Sequence, residues 1–98
     1  MTGLSLSSAN LDPRRKRVLF RSWRRGTREM DLLLGRFADA HLPEMSDADL
    51  TIYEHLIDAP DRDLYAWISG KIETPSNYDT PIFQQIRAFN THETPVNI

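Results

Sequence analysis

Residues 12–42 read DPRRKRVLFRSWRRGTREMDLLLGRFADAHL, and this stretch decides the fold. It predicts two amphipathic helices joined at a glycine. Asp12 suits an N-cap, and Pro13 suits the first helical position, where its missing N–H has no helical partner. Leu19, Phe20 and Trp23 are spaced to share one face. Gly26 ends the first helix, because glycine alone turns left-handed at little cost. The second helix runs from about Arg28 to Leu42, with Thr27 as a candidate cap. Met30, Leu33, Leu34, Phe37, Ala38 and His41 repeat at i, i+3, i+4, i+7. Gly35 lies inside it, costs about 1 kcal/mol against alanine, and invites close approach by a neighbouring helix. Pro43 stops the run.

The same signals recur downstream. Ser46 begins a third helix, with Asp49 three residues on and a Met45–Leu50 staple across the start. Leu50, Tyr53, Leu56 and Ile57 make its inward face. Asp58-Ala59-Pro60 breaks it. A fourth helix starts near Pro60 or Asp61, points Leu64, Trp67 and Ile68 inward, and ends at Gly70. Residues 73–79 read as a loop. Thr80 and Pro81 then open a fifth helix with a stripe of Ile82, Ile86 and Phe89. The expected fold is all-α, a compact antiparallel bundle of about five short helices over residues 12–91. Loose tails are expected at 1–11 and 92–98. Such short helices are marginal alone, so one shared core must hold them.

Composition narrows the chemistry. The chain has 98 residues and no cysteine, which excludes disulfides, thiolate-bound metals and a cysteine nucleophile. His41, His55 and His92 lack ligand spacing, and His41 falls on an apolar stripe where a packed boundary residue is expected. No glycine-rich phosphate cradle and no serine-nucleophile elbow occurs. No catalytic residue, metal site or cofactor site is therefore expected, and the chain is not expected to be an enzyme. No apolar run reaches the ~20 residues that span a bilayer, so direct membrane insertion is not expected. The first twelve residues do not resemble a secretory signal or a usual organelle presequence. This favours a bacterial cytoplasm, with a mitochondrial matrix as the alternative.

The net charge is −2, but its distribution is uneven. Of the 12 basic residues, 8 lie in residues 13–28, and 13 of the 14 acids follow Arg28. Three features then stand out. Arg25-Gly26-Thr27-Arg28-Glu29 reads either as a plain helix–turn–helix joint or as an exposed turn that offers Arg25 and Glu29 to a partner. The basic helix 14–25 reads as a solvated face, a nucleic-acid contact or a dock for an acidic protein. Asp61-Arg62-Asp63-Leu64-Tyr65-Ala66-Trp67 places carboxylates where a helix start favours them.

In this order, the features resemble the SdhE family of succinate dehydrogenase assembly factors, also called FAD assembly factors. The resemblance rests on Arg25-Gly26-x-x-Glu29, Asp31 with Leu32-Leu33, and Asp61-x-Asp63-Leu64-x-x-Trp67, and it covers about residues 14–90. It implies a five-helix bundle. It also implies a partner, the flavoprotein subunit of succinate dehydrogenase and possibly that of fumarate reductase, whose covalent flavinylation the family promotes. It puts Arg25, Gly26 and Glu29 at the partner interface, with Arg28 and Asp31 as neighbours. FAD would be bound by the partner flavoprotein and not by this chain. The rival readings are a basic helical nucleic-acid-binding module and a generic adaptor.

Overall fold

The computed structural model describes residues 11–92, and the side chains of residues 11–90. Five α-helices lie among the described residues: α1 Pro13–Trp23, α2 Arg28–His41, α3 Asp47–Ile57, α4 Asp61–Ser69 and α5 Pro81–His92. A 3₁₀ turn, Leu42–Glu44, links α2 to α3. No strand occurs among the described residues. The all-α expectation holds. Residues 1–10 and 93–98 of the expected tails lie outside the described part. Leu11, read as tail, is instead buried in the core, and His92 completes α5.

Local chemistry sets most boundaries. The Thr27 hydroxyl accepts from the Met30 N–H at 3.2 Å, the Ser46 hydroxyl from Asp49 N–H at 3.1 Å, and the Thr80 hydroxyl from Phe83 N–H at 3.2 Å. Each satisfies a helix-start donor that has no helical partner. Asp12 caps differently. Its backbone carbonyl accepts from Lys16, but its side chain turns to Arg15. Gly70 closes α4 at φ +84°.

Two sets of contacts fix the path of α1. Near its start, Arg15 donates to the Met45 carbonyl. Near its end, Ser22 Oγ and Tyr53 Oη lie 2.7 Å apart, and Tyr53 Oη reaches the Leu34 carbonyl at 3.5 Å. α1 therefore runs antiparallel to α2 but offset, its end level with the middle of α2. Residues 24–27 must run back along the first turns of α2. Gly35 permits this approach: a Cβ there would lie 2.6 Å from Cε3 of the Trp23 indole.

The core is shared by all five helices, through residues such as Leu19, Leu34, Phe37, Tyr53, Leu64 and Ile86. Each such side chain stabilises by about 1.5–3 kcal/mol when fully buried. His41 stacks on Phe37 at 4.5 Å and meets the Phe89 ring edge-on at 5.7 Å, a packed boundary histidine. Phe83, missing from the expected stripe of α5, is fully buried. Phe20 departs from expectation in the other direction, at 54% exposed. The inward slot goes to Ser22, whose hydroxyl is satisfied by the Val18 carbonyl at 2.8 Å and by Tyr53.

Candidate functional site

The connection between α1 and α2 is a fixed elbow and not a slack loop. Gly26 sits at φ +117°. A Cβ added there would find nothing nearer than Asp61 Oδ2 at 4.0 Å. Backbone conformation, and not crowding, is thus what demands glycine. The N–H of Arg25 donates to Asp31 Oδ1 at 2.6 Å, tying the turn to the first turns of α2.

The Arg25 side chain is turned inward. It is 10% exposed, and its Nε and Nη2 lie 2.9 Å and 2.7 Å from Asp61 Oδ1, with the Ala59 carbonyl 3.4 Å from Nη2. Asp61 is 25% exposed and occupies the first turn of α4, where the helix dipole also favours its charge. The two sequence elements Arg25-Gly26-x-x-Glu29 and Asp61-x-Asp63-Leu64-x-x-Trp67 therefore meet in space. Leu64 and Trp67 anchor α4 in the core below. Gly26, Thr27, Arg28 and Glu29 remain exposed. Of the two readings of this turn, the exposed one offers Arg25 and Glu29 together; the structure exposes Glu29 and makes Arg25 a tie, as a structural joint would. Asp31 is half-buried and serves the elbow's backbone.

A groove of about 380 Å³ opens beside the elbow. Thr27, Glu29 and Met30 of the α2 start form one side, and Asp61, Arg62 and Tyr65 of α4 form the other. Met30 is buried, while Tyr65 is exposed at the rim. The groove is thus mainly apolar, with carboxylates and a guanidinium at its edge.

The basic helix is less free than its composition suggests. Arg14 pairs with Glu54, Arg15 with Asp12 and Asp47, Arg21 with Asp58, and Arg25 with Asp61. Arg14 holds the Glu54 carboxyl below the usual carboxylate range by hydrogen bonding. The acids that follow Arg28 in sequence thus hold α1 against α3 and its end, and the elbow against α4. Among the described residues no cluster of His, Asp or Glu is arranged to hold a metal ion, and no helix is long and apolar enough to cross a membrane.

The family model described as "Flavinator of succinate dehydrogenase", named Sdh5, matches residues 16–90. The chain belongs to the Sdh5 family. Similar curated proteins include the FAD assembly factor SdhE of Acetobacter pasteurianus, 36% identical over 77 residues, covering 79% of this chain and 71% of that one. The mitochondrial succinate dehydrogenase assembly factor 2 of Dictyostelium discoideum is 33% identical over 79 residues, 81% of this chain and 56% of its own. That of Meyerozyma guilliermondii is 42% identical over 72 residues, 72% and 49%. The chain thus spans about half the length of these mitochondrial relatives. In this Sdh5-family chain the matched region takes in α1, almost from its start, and α2, α3 and α4 whole, with most of α5, so the elbow and its Asp61 anchor both fall inside it.

The sequence did not single out Asp61 as the partner of Arg25. It read as an ordinary helix-start acid, and the charge asymmetry between residues 13–28 and the rest was the one signal that long-range pairs would form.

Proposed function

We propose that this chain binds the immature flavoprotein subunit of succinate dehydrogenase through the outer face of the elbow, and so promotes covalent attachment of FAD to that subunit. The observation that carries the reading is the elbow's construction. Arg25, Asp31 and Asp61 lock it from within, while Gly26, Thr27, Arg28 and Glu29 face outward beside the groove. A surface held so rigidly loses little freedom on binding.

The new bond forms within the flavoprotein, which carries the FAD. The chain acts as an assembly factor and not as an enzyme. It contributes by holding its client in the arrangement from which flavin and acceptor react, which is catalysis by positioning supplied in trans. A binder shifts such an equilibrium only by its preference for one state. Glu29 and Arg28 accordingly contact groups that are placed differently before and after flavinylation. The fumarate reductase flavoprotein is a second client on this reading. The compartment is wherever the client is loaded, a bacterial cytoplasm or a mitochondrial matrix.

The test mixes the chain with unflavinylated subunit and FAD and reads covalent flavin by in-gel fluorescence. Acceleration over the subunit with FAD alone is expected. Glu29→Ala, exposed and outside the locking contacts, should lose that acceleration with its melting temperature unchanged. Equal flavinylation with and without the chain would refute the proposal.

A further inference from the structure

The outward side of α1 carries a second surface. Counted at 3.6 residues per turn, Lys16, Arg17, Phe20 and Arg24 fall within an arc of about 100° on the side opposite Val18, Leu19 and Ser22. All four are exposed. The other basic residues of the helix, Arg14, Arg15 and Arg21, are neutralised by acids of α3, of the α3–α4 connection and of Asp12. Those of the ridge form no ion pair among the described residues. Arg24 instead stands over Phe20, its guanidinium carbon 4.8 Å from the ring centroid. The ridge is therefore an exposed aromatic ring among three cations outside the ion pairs, and its last member, Arg24, lies next to the elbow.

We propose that this ridge is a second contact with the flavoprotein client, seated on an acidic surface of that client with an apolar recess for the Phe20 ring. This deepens the client reading and rests on it. Charge complementarity names the occupant. The ridge's cations need carboxylates, and an aromatic ring with a stacked guanidinium is the kind of anchor that dominates protein interfaces. A phosphate backbone would use the cations but would leave the ring without an apolar seat.

The experiment measures binding of the unflavinylated flavoprotein subunit to the immobilised full chain at about 50 and about 200 mM salt. Phe20→Ala should weaken binding about tenfold. The triple variant Lys16→Glu/Arg17→Glu/Arg24→Glu should weaken it about a hundredfold and flatten its salt dependence. A triple glutamine variant repeats the test should the reversed charges disturb folding, which circular dichroism melting would show. Wild-type binding with all folded variants equally tight would overturn the ridge and leave the elbow reading standing. No wild-type binding at all would overturn both. Duplex DNA or phosphatidylserine vesicles bound more tightly than the client, with loss on Phe20→Ala, would also overturn the assignment.

Discussion

The tie between Arg25 and Asp61 allows a test of what the arginine does. Arg25→Ala removes two charge-assisted contacts, at 2.9 Å and 2.7 Å, and leaves a carboxylate that is 25% exposed. Such contacts are worth about 1.5–3 kcal/mol each when well shielded. Water reaches Asp61, and the α4 dipole still supports it, so the loss is discounted to about 1–3 kcal/mol. Asp61→Ala removes the acceptor and leaves the guanidinium with only the Ala59 carbonyl, at similar cost. If about 2 kcal/mol falls on the elbow, the share of molecules with the elbow in place drops by at most about 30-fold. The apparent affinity for a client drops in proportion. The assay titrates the chain against unflavinylated subunit and FAD and reads the concentration giving half-maximal flavin fluorescence. Arg25→Ala and Asp61→Ala should shift that concentration by similar factors, and the double variant by little more than either, because each single change already breaks the same pair. Full activity of Asp61→Ala beside an inert, folded Arg25→Ala would refute this reasoning. Arg25 would then reach the client itself.

Three further outcomes are expected. Gly35→Ala drives a methyl into the Trp23 indole, where three ring atoms would lie within 2.6 Å of the new Cβ; a rigid ring that close puts overpacking at the upper end, about 2–3 kcal/mol, which less about 1 kcal/mol of helix propensity should lower the melting temperature by roughly 5–15 °C. An unchanged melt would mean that α1 does not cross there. At Gly26 an L-alanine should cost about 1–2 kcal/mol through its φ of +117°, whereas D-alanine, introduced by chemical synthesis, should fold normally; if D-alanine also abolishes client binding, the space outside Gly26 is occupied by the client, and equal melts for both would remove the strain. Burial raises the Tyr53 hydroxyl from 10.0 to about 12, so the folded state holds its proton where the unfolded chain releases it, and stability falls as pH rises from about 10 to 12, by on the order of 2–3 kcal/mol; Tyr53→Phe should lack this fall in alkaline denaturation, and an identical fall in both would place the hydroxyl in solvent.

What could be read from the sequence was local. The starts of α2, α3 and α5 were visible because a hydroxyl and an N–H three residues apart settle them, whatever the rest of the chain does. The end of α4 was visible because Gly70 adopts a positive φ there. Gly35 pointed correctly to a close helix approach. The rotation of α1 was not readable. Phe20 and Ser22 both flank Leu19, and apolarity alone gave the inward place to Phe20. The decision came from Tyr53, 31 residues away, whose hydroxyl needs Ser22. The inward turn of Arg25 depends likewise on Asp61, 36 residues on, and only packing brings the two together.

That long-range pairing divides the Arg25-Gly26-x-x-Glu29 signature into two kinds of residue. Arg25 and Gly26, with Asp31 and Asp61 behind them, are committed to the elbow's own geometry, through two contacts to one carboxylate oxygen and a left-handed φ. Glu29 makes none of these contacts and stands at the rim of the groove. A turn that needed only to connect two helices would have no use for a locked interior, since a short flexible link serves as well. Locking matters when the outer face must meet another surface in one arrangement. Changes to the inner residues should therefore appear in both melting and flavinylation, and changes to Glu29 in flavinylation alone.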